Sequence, residues 1–230
     1  MTYGSFYFCR VNTAAAVPGI LEEFDFSKAQ MGMILGSLKI AYGVGQFING
    51  QVAERFSPRK LLAIGMLGSA CMNVLFGFGS AVYFLLFVWA TNGYFQSFGW
   101  TPCMRTTANW FPASKRGRAI GIIGTGYQAT ASFTFLLSGF AAERFGWRGA
   151  FYIPAALLVA SCVHTLLFLK ESPDTKPADS SAGAPMPRQH DGPKWSVWET
   201  LKRTLNNPKL WFLALSLGLL NSCRYGFLDW

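Results

Sequence analysis

Over 230 residues, 13 % are Asp, Glu, Lys or Arg and 51 % are apolar, with a mean hydropathy of +0.27. An ordinary soluble domain carries about 25 % charged residues, so this composition excludes a surface wetted all round and favours one that faces lipid. The net charge of +9 falls in short clusters between long apolar stretches; it forms no single basic face, which excludes nucleic acid as partner and leaves membrane lipid.

Seven apolar segments follow one another, at about 2–21, 30–53, 61–78, 81–108, 117–139, 150–169 and 210–230. Most reach the roughly 20 residues that cross a bilayer as a helix. The expected fold is all-α and polytopic, with a six-helix half over 1–170, a linker over 171–207 and a first helix of a second half over 208–230. The opening residues Met1 to Arg10 lack a basic leader, so the first segment is expected to stay in the membrane. The linker holds Pro173, Pro177, Pro185, Pro187 and Pro193 among Ser, Ala, Asp and Gly, a composition that does not pack a core. Trp195, Trp198 and Leu201 are spaced for one side of a short amphipathic piece, and Asn207-Pro208 starts the last span. The apolar run that ends at Trp230 leads to the expectation that the complete protein continues.

Basic residues test the count. Arg55, Arg59 and Lys60 share one side with Lys115, Arg116 and Arg118 and with seven more from Lys170 to Lys209, while Lys28, Arg144 and Arg148 lie opposite. The positive-inside rule then puts the N-terminus and the linker in the cytoplasm, with a plasma or inner membrane as the expected location.

Gly50 to Phe56 reads GQVAERF and Gly139 to Phe145 reads GFAAERF. By the span count they follow the second and fifth segments, on opposite sides. Duplicated three-helix units of inverted orientation, a secondary-transporter arrangement, give such a pattern. Gly50, Glu54, Arg55, Arg59, Glu143 and Arg144 are the candidate gating and structural residues; plain stop-transfer charge is the alternative.

Arg10, Lys39, Arg105 and Arg224 fall inside spans, where a charge is costly unless it faces a cavity, a partner or headgroups. Arg10 precedes Glu22 by twelve residues, about 18 Å of helix, which is near mid-membrane. Arg224 lies fifteen residues beyond Lys209, about 22 Å in from the other face. No acid is well placed to neutralise both, and Asp229 is an imperfect partner. Two deep guanidiniums suit an oxyanion, phosphate or carboxylate, unless backbone carbonyls or lipid satisfy them. Tyr3, Tyr7 and Arg10 can share a helical face. Lys39 and Gln46, with Tyr42, form a stripe that either lines a cavity or supports structure. Tyr127 and Gln128 bind ligand oxygens or satisfy each other, and Arg105 is expected to give structural support. The five cysteines read as small buried side chains. His164 and His190 are isolated, so neither a metal, a cofactor nor a catalytic group is expected, and the chain is not read as an enzyme.

The stretch GYFQSFGWTPCMRTTANWFPASKRGRAIG from Gly93 to Gly121, with the GQVAERF repeat, resembles the major facilitator superfamily. FYFCRVN at Phe6 to Asn12 and SCRYGFLDW at Ser222 to Trp230 resemble the first- and seventh-helix motifs of its organophosphate:phosphate antiporter family. The resemblance covers practically the whole chain. It implies a helix bundle of that superfamily, with Arg10 and Arg224 as paired phosphate binders. It also implies a monomeric complete protein that exchanges a small phosphorylated anion for inorganic phosphate by rocking of two halves. The chain departs from the family pattern at Val11, where family members often have lysine, and at Gln46 and Tyr127, where glycerol-3-phosphate members have lysine and histidine. A phosphate-ester sensor of the same fold and a facilitator of another organic anion remain as alternatives.

Overall fold

Short polar caps set where the helices begin. Ser27 accepts from the Gln30 N–H at 3.2 Å, and the Gln30 side chain accepts from the Ser27 N–H at 2.8 Å, a reciprocal cap for a long helix. Ser57 accepts from the Lys60 N–H, with Pro58 at the first helical position, where its missing N–H costs nothing. The computed structural model describes residues 2–173, 199, 202 and 205–228, without the side chains of residues 54 and 224–228. Two compact units divide the chain, Met1–Pro173 and Asp174–Trp230.

The first unit opens with α1 (Thr2–Ser5), a 3-10 turn (Phe6–Cys9) and, after a bend at residues 10–12, α2 (Thr13–Phe24). It continues through α3 (Lys28–Arg55), α4 (Pro58–Gly77), α5 (Val82–Gln96), α6 (Trp100–Trp110), α7 (Ala113–Phe145) and α8 (Gly149–Phe168). The second unit contributes α9 (Pro208–Leu228). The expected all-α architecture holds, and no strand occurs among the described residues. Trp195, Trp198 and Leu201, the expected amphipathic piece, lie outside them.

Two spans read as single helices are interrupted. The first breaks at Arg10, Val11 and Asn12, and the fourth breaks at Ser97–Gly99 between α5 and α6. At the second break, Ser97 turns its hydroxyl onto the Tyr94 carbonyl at 2.6 Å and receives the Asn49 amide at 2.6 Å. Among the described residues, Lys28–Ala53, Pro58–Gly77 and Gly149–Phe168 are long and apolar enough to cross a membrane uninterrupted, by length and composition.

Within the first unit α3 packs on α5, while α4 packs on both α5 and α8. Gly93 permits the first contact, because a Cβ there would run into the Leu38 carbonyl of α3. Near one end of the bundle Phe76 stacks on Phe151 at 4.5 Å, and Trp89 and Trp147 meet Phe151 edge-on. Outward faces stay apolar: Ile40, Val44 and Phe47 on α3 and Phe133, Leu136 and Phe140 on α7 are exposed. Water would not tolerate such faces, whereas hydrocarbon does. The same reasoning corrects the cysteines: Cys9 and Cys162 are buried, but Cys71 and Cys223 are exposed on apolar helices.

Candidate functional site

In an unbroken helix each carbonyl accepts from the N–H four residues on. The bend at residues 10–12 turns the Phe6 and Cys9 carbonyls toward side chains of other helices. Gln96 Nε2 of α5 donates to Phe6 O at 3.0 Å and to Cys9 O at 3.4 Å. Asn92 Nδ2, a turn earlier, donates to Cys9 O at 2.9 Å. From α4, Asn73 Nδ2 donates to Cys9 O at 3.4 Å and to Ser69 O at 2.9 Å. The Ser69 hydroxyl donates to Asn92 Oδ1 at 2.6 Å and accepts from Gln96 Nε2 at 2.7 Å. Asn12 Nδ2 donates to Asn73 Oδ1 and to Ala150 O, both at 2.9 Å, while its Oδ1 has no hydrogen-bond partner among the described residues.

Asn12, Ser69, Asn73, Asn92 and Gln96 are all fully buried. A buried polar group deprived of its partner costs about 1–3 kcal/mol, so these five side chains hold the bend in place by satisfying one another and the exposed carbonyls. The sequence reading singled out none of them. The signal was present as Ser69/Asn73 and Asn92/Gln96, two polar pairs four residues apart and therefore each on one face of an apolar helix.

Arg10 is seated on this collar. Its Nε donates to Gln96 Oε1 at 3.0 Å, and its guanidinium carbon lies 4.9 Å from the Tyr7 ring centre and 4.5 Å from that of Tyr42. Tyr42 is itself fixed, since Gln46 Nε2 donates to its hydroxyl at 2.8 Å and Thr101 donates to Gln46 Oε1 at 3.2 Å. Tyr7 stacks on Tyr127 at 5.0 Å; Tyr3 meets Tyr127 edge-on at 5.5 Å and Trp100 at 5.0 Å. Of the expected binding residues, Tyr3, Tyr7, Arg10, Gln46 and Tyr127 thus come together, joined by Tyr42 and Thr101. Gln128, the neighbour of Tyr127, is exposed on an adjoining face of α7, and Lys39 is half-buried on α3, a turn before Tyr42. Arg224 belongs to α9, but its side chain lies outside the described residues, as does Asp229.

Residues 1–21, 26–53, 61–142 and 144–170 contain no Asp or Glu. The membrane stretches around Arg10 therefore offer it amide dipoles and aromatic faces, an environment in which a guanidinium still attracts an oxyanion. Among the described residues there is no cluster of three or more His, Cys, Asp or Glu side chains fit for a metal ion.

The two copies of the repeat end their helices at opposite ends of the unit. The first closes α3, where Arg105 of α6 donates to the Ala53 carbonyl and, at 2.9 Å, to the Phe56 carbonyl. Beside it the Glu171 carboxylate accepts from the Ser57 hydroxyl and from the Arg59 N–H, while Asn109 holds the Glu171 carbonyl at 3.1 Å. Arg55, Arg59, Glu143 and Arg144 are exposed and Gly50 is half-buried; the Glu54 side chain is outside the described residues. The second copy closes α7. Just beyond it, Arg148 donates to both Glu23 carboxylate oxygens at 2.8 Å and to the Gly77 carbonyl at 2.9 Å, and Trp147 Nε1 donates to Glu23 at 2.6 Å. Arg148, and after it Trp147, hold the Glu23 carboxyl below its ordinary pKa.

The profile of the Major Facilitator Superfamily matches residues 1–230. A probable hexose phosphate transport protein of Chlamydia pneumoniae is 29 % identical over 99 % of this chain and 53 % of its own length. The glycerol-3-phosphate transporter of Bacillus subtilis (strain 168) is 32 % identical over 99 % of this chain and 54 % of its own. Membrane sensor protein UhpC of Escherichia coli (strain K12) is 26 % identical over 99 % and 53 %. The fold also superposes on a bacterial homologue of the human lysosomal transporter Spinster, with a TM-score of 0.72 and 18 % identity over 99 % of this chain and 52 % of that one. The chain thus spans about half the length of the curated relatives it matches. It belongs to the Major Facilitator Superfamily, and these relatives are of the kind its motifs resemble, the organophosphate:phosphate antiporter family.

Proposed function

We infer that the complete protein exchanges an organophosphate, a sugar phosphate or glycerol phosphate, for inorganic phosphate by alternating access. The observation that carries this reading is the seat of Arg10. Its guanidinium is held at a bend in the first span, against two tyrosine rings, in a stretch of membrane helices that brings no carboxylate of its own. A planar fork of donors in that setting binds a phosphoryl group bidentately. By the motif it resembles, Arg224, on the first helix of a second half, is the second phosphate-binding arginine. Tyr3, Tyr7, Gln46 and Tyr127 wall the site, with Lys39 and Gln128 nearer its approaches. In this reading 1–170 is one rocking half, 171–207 a cytoplasmic linker and 208–230 the start of the other half. Gly50, Glu54, Arg55, Arg59, Glu143 and Arg144 belong to the joints between helices. The curated relatives named as hexose phosphate and glycerol-3-phosphate transporters support the substrate class.

The test is counterflow of radiolabelled phosphate in proteoliposomes of the full-length protein. Arg10→Lys and Arg224→Lys, which keep charge but lose the bidentate geometry, are each expected to reduce exchange to near background with membrane insertion retained. Unchanged exchange in both variants removes the assigned site. A second reading, a phosphate-ester sensor, is favoured by the relative named as a membrane sensor protein; it predicts ester binding with little flux in the same assay.

A further inference from the structure

Gln96 was not among the residues the sequence singled out, yet it joins Arg10 to the collar that holds the bend. Its amide has one orientation. The Ser69 hydroxyl spends its proton on Asn92 Oδ1 and so can only accept from Gln96, and the Phe6 and Cys9 carbonyls are likewise acceptors. All three draw the Nε2 end, which leaves Oε1 turned toward Arg10, where it takes the Nε proton at 3.0 Å. The guanidinium carbon also rests against two rings, 4.9 Å from the centre of Tyr7 and 4.5 Å from that of Tyr42. The Nε hydrogen bond to Gln96 is the directional contact among these, and it restricts where the two terminal amino groups can turn. A bidentate contact to phosphate needs that heading, because a fork rotated by even a few tens of degrees offers one hydrogen bond instead of two.

We propose that Gln96 is a positioning residue for anion recognition: it orients the Arg10 fork through Nε and touches no substrate itself. The proposal rests on the reading of Arg10 as a phosphate binder. It separates Gln96 from the rest of the collar, whose members brace the bend but do not contact the arginine in this way.

The experiment uses the full-length protein in proteoliposomes, with inorganic phosphate as the probe and half-saturation and maximal counterflow measured separately. Gln96→Met, close in size but unable to accept, is expected to raise the phosphate half-saturation about tenfold, the scale of one hydrogen bond to a charged group. Maximal flux should stay within about twofold. Val88→Ala, two turns earlier on α5 and buried in the apolar core, controls for simple loosening: it lowers the melting temperature without moving half-saturation. If Gln96→Met and Val88→Ala raise half-saturation alike for an equal loss in melting temperature, or if Gln96→Met leaves it unmoved, the proposal is overturned. Should Gln96→Met fail to insert, Gln96→Glu decides. Its carboxylate pairs with Arg10, so phosphate affinity at neutral pH should fall more than tenfold, with the ratio to wild type recovering in acid as the new group protonates. A loss independent of pH, or no loss, overturns the proposal. Full exchange in both Arg10→Lys and Arg224→Lys would instead sink the parent reading, and the two failures are therefore distinguishable.

Discussion

The two copies of the GxxAERF peptide are nearly the same sequence and end their helices in different ways. After the first, α3 stops at Arg55, the chain stays extended at Phe56 (φ −107°) and Ser57 caps the next helix. After the second, α7 runs one residue further to Phe145, and Gly146 turns at φ 72°, ψ 171°. The clamps differ as well. At the first end an arginine from another helix comes to the carbonyls of the peptide itself; at the second, an arginine just beyond the peptide reaches away, to a carboxylate on α2 and a carbonyl at the end of α4. The shared peptide specifies a helix terminus with a charged last turn, and what is bolted to that terminus is decided by residues outside it.

Removing the borrowed arginine should break the first end most severely. Arg105→Ala deletes two hydrogen bonds from a charged donor, each contributing about 1.5 kcal/mol. A loss of about 3 kcal/mol is expected, read as a fall in melting temperature of the full-length protein in detergent. A variant that melts like wild type would mean that the arginine is incidental to that joint. Gly146→Ala is the matching lesion at the second end. That backbone geometry is nearly reserved for glycine, and an alanine there costs about 2 kcal/mol. Its counterpart in the first copy, Ser57, has ordinary backbone angles, so Ser57→Ala strains no backbone and loses the cap, about 1 kcal/mol, together with the hydroxyl's bond to Glu171. A Gly146→Ala variant that melts like wild type would erase the distinction. A smaller effect separates the third residue of each peptide: Ala141 is fully buried where Val52 is half-buried. Ala141→Val is expected to overpack by about 1 kcal/mol, while Val52→Ala should cost less in the same melt.

These joints were legible in outline because a helix end is written locally. The ERF peptides, Ser57-Pro58 and the glycine after Phe145 all carry their meaning within a few residues. The aromatic wall was legible for the same reason: Tyr3, Tyr7 and Arg10 share a face by their spacing alone, and the structure brings them together with Tyr127. The bend at Arg10 was not. Residues 10–12 contain neither Gly nor Pro, and the donors that stabilise the bend come from α4 and α5, more than sixty residues away. Local propensity favours continuing the helix, and only the tertiary hydrogen bonds of Ser69, Asn73, Asn92 and Gln96 tip the balance. Arg105 shows the opposite case, a charge placed by depth as a support and found on backbone carbonyls. The Glu23–Arg148 clamp went unseen because each member looked like an ordinary charge at a helix end.

The clamp at the second end pairs opposite charges, Arg148 and Glu23. Arg148 lowers the Glu23 pKa, so the carboxylate gives up its proton more readily in the folded protein than in the unfolded chain. The resulting stabilisation is complete above the ordinary carboxylate pKa of about 4.3 and is lost as the pH falls through the lowered folded value. Both side chains are partly exposed, 37 % for Arg148 and 41 % for Glu23, so solvent screens the pair and its effect is the smallest of the set. Glu22 and Asp25 flank Glu23 and Arg144 lies near the end of α7; all three are present in both wild type and Glu23→Gln, so comparing the two proteins isolates Glu23. The gap in melting temperature between the two proteins should therefore be level from pH 7 to pH 5 and close as the pH drops below about 4. It should also narrow with added salt, since exposed charges are screened. A gap indifferent to both would make Glu23 a hydrogen-bond acceptor for Trp147 and nothing more, leaving the Gly77 carbonyl as the anchor of Arg148 at that end, much as backbone carbonyls anchor Arg105 at the first.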